Sequence, residues 1–296
     1  MEKIKKCIIC ENQSFTVFLN CKDYFLTEES FSVLECEKCG FRITSPRPFE
    51  KNLGEYYKSE EYISHSNTNK GLFNSMYQFI RRLTLNRKYK LISNYCNKGE
   101  ILDIGCATGE FLNVFKKNNW SVFGIEPNEE ARNYALKNYN ISVGKEEDLN
   151  KLSPKSFDVI TMWHVLEHVA HLNKRITEIK KILKKDGVLI VAVPNSNSLD
   201  AKIYKEYWAA YDVPRHLYHF TQKSISELFN KHDFELLAIK PMKFDSYYVC
   251  MLSEKYKSGK QKYLKAVWNG FKSNFYARMN KNEYSSLIYI FKNADI

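Results

Sequence analysis

Four cysteines near the start of the chain have the spacing of metal ligands. Cys7 and Cys10 form one C-x-x-C pair, and Cys36 and Cys39 form a second pair after 25 intervening residues. Two such pairs supply four thiolates, which is the ligand count of a tetrahedral structural zinc site. Redox chemistry and disulfides are the alternatives, but lasting disulfides are rare in the cytosolic setting that we expect. The spacing therefore predicts a zinc ribbon, with short strands in residues 14–34.

A second group of residues has the arrangement of a ribose-binding site. Residues 101–109 have the pattern of a buried strand followed by a loop with two glycines, and a helical pattern comes next. Glycines let the backbone approach a ligand closely, and the helix N-terminus faces that ligand. A second predicted strand ends at Glu126, 23 residues beyond Asp103. At that distance an acid at the end of the second strand can accept both hydroxyls of a ribose.

The loop lacks the G-x-G-x-x-G spacing of a dinucleotide fold, and with Glu126 it resembles class I S-adenosylmethionine (SAM)-dependent methyltransferases. Their first motif is similar to Leu102–Gly109, with Ala107 in place of the usual middle glycine, and a residue this small should fit. The resemblance implies the following cofactor contacts: Asp103, Gly105, Cys106 and Gly109 at the methionine end, Glu126 at the ribose, Asp148 with Leu149 at the adenine, and Trp163 or His164 closing the pocket. For Asp148, an ordinary solvated acidic turn is the alternative.

A stretch rich in aromatic and titratable side chains follows the fifth predicted strand. In the fold that the resemblance implies, an insertion at this point lies over the methyl group of the cofactor. His216 and His219 are candidate catalytic bases, because imidazole titrates near neutral pH, and Asp212 could orient one of the rings. Tyr211 and Arg215 are candidate substrate-binding residues. The alternative is a lid held in place by buried histidine hydrogen bonds.

His164, Glu167 and His168 recur at the i, i+3 and i+4 spacing of one helix face. His168 is a further candidate for the catalytic base. The same spacing suits a metal ion, and some quinone-biosynthesis O-methyltransferases carry one near this point. The Leu-Glu-His-Val stretch is also common in small-molecule methyltransferases without a metal, so a second metal site stays open.

The order of the predicted elements indicates an α/β fold. Strands alternate with helices from residue 99 onward, which predicts a doubly wound, seven-stranded Rossmann-like methyltransferase sheet with an antiparallel last strand at 284–292. In the segment before residue 99, Tyr57 or Tyr62 could reach the cofactor, although clustered tyrosines more often pack against other side chains. The expected domains are a zinc ribbon at 1–48, a helical N-terminal extension at 49–98, and a SAM-binding core at 99–296 with an acceptor-side insertion at 196–221 and a helical insertion at 245–280.

Composition narrows the set of partners. The formal net charge of +11 invites a nucleic-acid partner, but only 9 of the 45 basic residues are arginine and the lysines are spread along the chain. No apolar run reaches 18 residues and no signal-peptide core follows Met1, so we expect a cytoplasmic protein without a membrane span. The sequence does not indicate an oligomeric state.

The ribbon and the methyltransferase motif together are similar to the zinc-ribbon-bearing methyltransferases of the methyltransferase-23 type. That resemblance implies a SAM-dependent methyltransferase, with O-methylation of a saccharide or other small metabolite in a surface-polysaccharide or natural-product pathway as the first hypothesis. The alternative is a ribosomal or transfer RNA methyltransferase that grips RNA with its ribbon and lysines. A binding protein with a degenerate pocket is a third, and the intact Asp103, Gly105, Gly109 and Glu126 argue against it.

Overall fold

A computed structural model describes residues 1–57 and 72–294, and the side chains of 72–82 are not part of the description. Tyr62 therefore lies outside the described residues. The described chain divides into two compact units. The first unit contains residues 1–57, 164–173 and 192–289, and the second contains 72–163, 174–191 and 290–294. The domain boundaries expected at residues 48 and 98 stay a prediction.

The first unit contains a small sheet built from two distant parts of the chain. Its strands are β1 (Phe15–Lys22), β2 (Ser30–Cys36), β3 (Arg42–Thr44) and β9 (Tyr218–His219), hydrogen-bonded in that order. All the neighbouring pairs are antiparallel, and β9 aligns His219 with Arg42 and Tyr218 with Ile43. On β2, Phe31 and Val33 alternate inward, as the two-residue period of a strand requires. The segment expected to bind the acceptor thus extends the sheet of the cysteine-bearing segment.

The chain between this sheet and the first motif is helical where it is described. It contains α1 (Glu50–Leu53), a 3₁₀ turn at Gly54–Tyr57 and the long helix α2 (Leu72–Ser93).

A seven-stranded sheet forms the larger part of the fold. Its remaining strands are β4 (Glu100–Ile104), β5 (Ser121–Ile125), β6 (Val143–Gly144), β7 (Phe157–Trp163), β8 (Leu183–Pro194), β10 (Phe234–Pro241) and β11 (Ser286–Asn293). The order is β10-β11-β8-β7-β4-β5-β6, and β4 pairs in parallel with both β5 and β7. The last eight residues of β8 are buried, as expected of a central strand covered on both faces. The predicted Rossmann-like methyltransferase sheet is confirmed.

Helices connect these strands. They are α3 (Glu110–Lys117), α4 (Glu129–Tyr139), α5 (Leu172–Ile182), α6 (Leu199–Tyr204), α7 (Gln222–Asn230), α8 (Asp245–Ser258) and α9 (Tyr263–Met279). Thr221 caps α7, because its hydroxyl accepts the Ser224 amide hydrogen. None of the helices in residues 1–57 and 72–294 has both the length and the apolar character needed to span a bilayer.

Candidate active site

The loop between β4 and α3 has the backbone of a ligand-binding turn. Gly105, Ala107 and Gly109 have φ values of 74°, 45° and 77°, all in the left-handed region. Gly109 is required for space as well, since a Cβ there would lie 2.9 Å from the Ala135 Cβ. Ala107 takes the place of the expected glycine at a cost of about 1 kcal/mol of backbone strain. Such strain is typical of functional loops.

Asp103 is a buried carboxyl group near the end of β4. Its Oδ1 accepts a hydrogen bond of 2.5 Å from the Thr161 hydroxyl on β7. Burial raises the pKa of Asp103 to about 7, against the hydrogen bond from Thr161 that lowers it. A cationic ligand would favour the charged form, and the ammonium group of a methionine moiety is such a ligand.

Glu126 follows β5 and holds the loop. Its Oε2 accepts from the Ala107 amide at 2.9 Å, and its Oε1 accepts from the Asn128 amide at 2.9 Å. Burial raises the pKa of Glu126 against these two hydrogen bonds. Each carboxylate oxygen keeps a further lone pair, so the group can also accept the two hydroxyls of a ribose.

Gly105 and Cys106 are tied to the neighbouring strand. Both amides donate to the Ile125 carbonyl oxygen, at 2.7 and 3.1 Å. Cys106 is buried, and a Cβ at Gly124 would lie only 2.5 Å from its Sγ. The two residues predicted to contact the cofactor therefore also fix the loop on β5.

Asp148 caps the turn in which it lies. Its Oδ2 accepts from the Lys145 amide at 3.0 Å and its Oδ1 pairs with Lys151 Nζ at 2.7 Å. The hydrogen bond from Lys151 lowers the pKa of Asp148. Leu149 beside it is buried. The structure thus gives Asp148 a local role, and the adenine contacts of Asp148 and Leu149 stay a prediction.

Trp163 ends β7 in the second unit. Lys88 Nζ lies 3.8 Å from the centroid of its ring, and Phe111 meets the ring edge-on. The indole Nε1 is buried and has no hydrogen-bond partner within the described residues. The second unit thus contains two carboxylates, Asp103 and Glu126, and the Trp163 ring, whose N–H is available as a hydrogen-bond donor. These residues fit a ligand such as SAM, which carries a cationic amino acid end, a ribose and an aromatic base.

His164 is an imidazolium held between two acids of the first unit. Its Nε2 lies 3.0 Å from Asp245 Oδ2, and its Nδ1 lies 3.4 Å from Glu167 Oε1. Burial disfavours the charge, but the hydrogen bonds and charges of Asp245 and Glu167 outweigh it and raise the pKa of His164 to about 10. The prediction that His164, Glu167 and His168 lie on one helix is wrong. The φ of His164 is 56°, and only Leu166–His168 form a single 3₁₀ turn.

Glu167, His168 and His216 bring their ligand atoms within 4.8 Å of one another. We call these three residues the acid–histidine cluster. Both carboxylate oxygens of Glu167 are buried, and beyond the 3.4 Å pairing of Oε1 with His164 they have no hydrogen-bond partner in the described part of the chain. Burial opposes the charge, yet His164 and His216 hold the pKa of Glu167 below its usual value. The cluster has the composition of a two-histidine, one-carboxylate metal site, and it equally suits a proton-donating ligand.

Backbone carbonyls lie close to one ring nitrogen of each of the two histidines. His216 Nδ1 lies 2.9 Å from the Ala210 carbonyl oxygen, and His168 Nδ1 lies 3.1 Å from that of Arg215. A carbonyl oxygen only accepts, so His216 Nδ1 donates to it, and Nε2 is the acceptor when the His216 ring is neutral. Burial and the charge of His216 lower the pKa of His168 to about 4, so His168 is neutral at pH 7. The Tyr57 hydroxyl lies 2.8 Å from the same His168 Nδ1.

Arg215 is buried between two acids. Its Nη2 donates to Asp212 Oδ1 at 2.7 Å and to Asp23 Oδ1 at 2.8 Å, and its Nη1 donates to the Tyr56 carbonyl. Burial opposes the charge, but the two aspartates raise the pKa of Arg215 further. Most of its donors are used inside the protein, so Arg215 anchors Asp212 and the loop around Asp23. Its predicted contact with a substrate stays a prediction.

His219 and Tyr211 lie deeper in the first unit. Thr44 Oγ1 donates to the His216 carbonyl at 2.7 Å, so it accepts from His219 Nε2 at 2.9 Å. Burial and the charges of His216 and Arg42 lower the pKa of His219 well below its usual value. Tyr211 packs edge-on against His219, with ring centroids 5.2 Å apart. These contacts are the kind expected from the alternative, a lid held in place by buried histidine hydrogen bonds. The catalytic role of His219 and the substrate-binding role of Tyr211 stay predictions.

The four N-terminal cysteines converge as their spacing predicts. Their Sγ atoms all lie within 4.8 Å of one another, and Cys7–Cys39 and Cys10–Cys36 are each 3.5 Å apart. A tetrahedral zinc with bonds of about 2.3 Å places its sulfur ligands about 3.8 Å apart, so the four residues fit the metal. All four are free cysteines rather than disulfides.

The acid–histidine cluster joins two stretches that the sequence analysis treats separately. Glu167 and His168 follow β7, whereas His216 comes 48 residues after His168. Sequence reasoning missed Asp23, Thr161 and Asp245 as partners of the predicted residues. For Thr161, the only signal in the sequence was a polar residue within a predicted buried strand. Asp23 and Asp245 lie in unremarkable polar contexts, so no local pattern indicated them.

Comparison with protein families gives one match that covers more than half of the chain. Residues 75–239 match the family model of the methyltransferase-23 methyltransferase domain. An uncharacterised protein of Methanocaldococcus jannaschii is 32% identical over 151 residues, which are 50% of this chain and 64% of that protein. A ubiquinone biosynthesis O-methyltransferase of Rickettsia conorii is 30% identical over 123 residues, 38% of this chain and 41% of that enzyme. The chain thus spans less than two thirds of the length of these relatives.

Solved structures share the fold. The magnesium protoporphyrin IX methyltransferase of Synechocystis PCC 6803, determined with bound SAH, superposes with a TM-score of 0.55 at 12% identity. The match covers 83% of this chain and all of that one. A SAM-dependent methyltransferase of Archaeoglobus fulgidus gives a TM-score of 0.50 at 20% identity, covering 72% and 94% of the two chains.

Proposed function

The chain belongs to the methyltransferase-23 family of methyltransferase domains, and on this premise we propose that it is a SAM-dependent O-methyltransferase acting on a saccharide or other small metabolite. Asp103 would hold the methionine end of SAM and Glu126 its ribose, with Gly105, Cys106 and Gly109 shaping the loop. When bound, SAM supplies a methyl group activated by its sulfonium. The protein must then position a nucleophilic acceptor and remove its proton.

The chemistry of the acid–histidine cluster carries the assignment to an oxygen acceptor. Glu167 is a carboxylate, and His216 in its neutral form has an Nε2 that accepts a hydrogen bond, so the described cluster can receive a donor. A hydroxyl group supplies the missing hydrogen-bond donor. His216 Nε2 would take the hydroxyl proton, and Glu167, whose Oε1 lies 4.0 Å away, would stabilise the imidazolium that forms.

His216 is a better candidate for the base than the other histidines. His164 is already protonated, because Asp245 and Glu167 stabilise its charged ring, and the low pKa of His168 makes its imidazole a weak base. His219 uses its Nε2 on Thr44. Asp212 Oδ2 lies 3.9 Å from His216 Nε2 and would assist it electrostatically. The O-methyltransferase among the relatives is consistent with an oxygen acceptor.

We also propose that Cys7, Cys10, Cys36 and Cys39 hold a structural zinc ion. The convergence of their four sulfur atoms supports it. Four cysteine ligands fill the coordination sphere, so such a zinc has no open position for a substrate. Its role would be to fold the segment that carries β1 to β3.

The alternative function is methylation of ribosomal or transfer RNA. The net charge of +11 favours it, whereas the scarcity of arginine and the even spread of lysine do not. Incubation with methyl-labelled SAM separates the two functions when sugars, nucleotide sugars and phenols are offered alongside total RNA. Label in the small-molecule fraction is the expected result, and label confined to RNA would overturn the proposal.

The role of His216 is tested on the acceptor found in that way. His216→Ala should lower the turnover number by roughly 10²–10⁴-fold, because a general base contributes about that much. The affinity for SAM should change little, since Asp103 and Glu126, which would hold SAM, belong to the second unit and His216 belongs to the first. His171→Ala is the matched control, because His171 is an exposed histidine that pairs with the exposed Glu50. Turnover near that of the wild type in His216→Ala would remove the base from this cluster.

A further inference from the structure

Helix α9 presents large apolar side chains to solvent. They recur every three or four residues on one face, and they are between 50% and 91% exposed: Leu264, Val267, Trp268, Phe271, Phe275 and Met279. Trp268 stacks on Phe271, and Phe271 stacks on Phe275, so the aromatic rings form a continuous surface. A soluble protein rarely exposes a contiguous apolar stripe of this kind without a partner for it.

The opposite face of α9 is built from small and polar residues that pack inward. Ala266, Gly270 and Ala277 are buried there, and a Cβ at Gly270 would lie 2.8 Å from the Tyr247 ring. Asn269 donates to the Tyr204 hydroxyl at 2.9 Å, and Ser273 donates to Asp200 at 2.6 Å. Small residues allow close contact with α8, and the hydrogen bonds fix the rotation of the helix. The apolar face therefore cannot turn into the core.

Basic residues surround the apolar stripe. No acidic residue occurs between Glu254 and Glu283, and the eight basic residues in this interval are all exposed: Lys255, Lys257, Lys260, Lys262, Lys265, Lys272, Arg278 and Lys281. Lys265 pairs with the buried Glu254, and the others add to the positive field of the patch. Much of the chain's net charge of +11 is thus concentrated around one helix.

We propose that α9 binds in the interface of an anionic lipid membrane. An interfacial helix combines an apolar face, which enters the boundary between headgroups and acyl chains, with lysines that contact anionic headgroups. Aromatic side chains such as Trp268 and Tyr263 suit this boundary. A second copy of the chain fits this surface less well, because a two-fold contact would place two uniformly basic rims against each other.

Vesicle binding of the full chain tests the proposal. The wild type should co-sediment with phosphatidylcholine vesicles that contain phosphatidylglycerol, and bind phosphatidylcholine vesicles much more weakly. Binding should weaken in high salt, because screening reduces the attraction of exposed charges. Trp268 fluorescence should shift to the blue on binding, and Trp268→Phe should remove that shift.

Two variants and two controls separate the apolar and the basic contributions. Phe271→Ser and Lys272→Glu should each lower the partition coefficient, by roughly tenfold for the loss of a large inserted ring. Leu136→Ser and Lys137→Glu on α4 are the controls, since Leu136 is 54% exposed and Lys137 is also exposed. All four substitutions are on the surface, so the thermal midpoint checks that folding is retained.

Three results would overturn the proposal. The wild type could fail to bind anionic vesicles, or the α9 variants could bind as well as the wild type. The third is a lipid-free dimer in sedimentation velocity that Phe271→Ser converts to a monomer, which would assign the surface to a second copy of the chain.

Discussion

At the scale of single residues, burial and pairing give His164 and His168 opposite protonation states. His164 bridges Asp245 and Glu167 and carries the charge, with its pKa raised to about 10. His168 is kept neutral by burial beside His216, with its pKa lowered to about 4. Neighbouring groups whose pKa values are pushed apart are a signature of acid–base chemistry. His216 Nε2, which lies 4.0 Å from Glu167 Oε1, is therefore the proposed proton acceptor.

The proposed contact of Asp103 with SAM would make the binding of SAM depend on pH. Burial raises the pKa of Asp103 to about 7, and its protonated form cannot pair with an ammonium group. Affinity should therefore be lost as the pH falls through about 7, by roughly tenfold between pH 8 and pH 6. Calorimetry across this range measures the profile, with Asp103→Asn as the comparison. Asp103→Asn should bind more weakly and with a flatter profile, and a profile unchanged from the wild type would contradict the assignment.

The residues with local signals could be predicted, and those that depend on distant partners could not. The two C-x-x-C pairs and the Asp103–Glu126 spacing are short-range patterns with a direct chemical meaning. Arg215 shows the limit, because its partner Asp23 is 192 residues away, and the sequence analysis named Arg215 only as a candidate substrate-binding residue. The left-handed backbone of Ala107 also lies beyond the sequence, which shows only that the residue is small.

At the scale of elements, the short strand β9 connects the cysteine-bearing segment with the acid–histidine cluster. It pairs with β3, and Thr44 at the end of β3 contacts both the His216 carbonyl and the His219 ring. Arg215 and Asp23 add a second link. Loss of order in the N-terminal segment should therefore reach His216.

Removal of the proposed zinc tests this connection. Cys36→Ser should lower the zinc content from about one per chain to near zero and unfold the metal-bound segment, because metal binding and folding are coupled. Amide hydrogen exchange should rise at Tyr218 and His219, and methyl transfer should fall, while SAM is still bound. Cys96→Ser is the control, since Cys96 belongs to the second unit and is not one of the four converging cysteines. Retained zinc would refute the ligand set, and unchanged exchange in β9 would refute the connection.

The elements themselves were largely predictable because their signals are periodic. The last eight residues of β8 are apolar and buried, and the Thr221 hydroxyl caps α7, so both elements carry a local signal in the sequence. β9 could not be foreseen. It is a two-residue strand formed by pairing with residues about 175 positions earlier, and local propensity carries no information about such a contact.

At the scale of the whole molecule, the positive charge is less even than the lysine count suggests. The sequence analysis took the lysines as scattered, yet the interval between Glu254 and Glu283 is uniformly basic and surrounds an exposed apolar helix face. Periodicity predicted helices here but not which face would be covered. Small inward residues such as Gly270 decide that, through packing against α8.

The most direct test of the account is titration of the chain with SAM in a calorimeter. The wild type should bind one SAM per chain, and Glu126→Ala should weaken binding by roughly 2–3 kcal/mol, because charge-assisted hydrogen bonds to the ribose are lost. Glu130→Ala is the matched control, since Glu130 is an exposed acid on the adjacent helix α4 and should leave the affinity near that of the wild type. Absence of SAM binding by the wild type would contradict the proposed methyltransferase activity, and equal affinity in Glu126→Ala would contradict the ribose assignment.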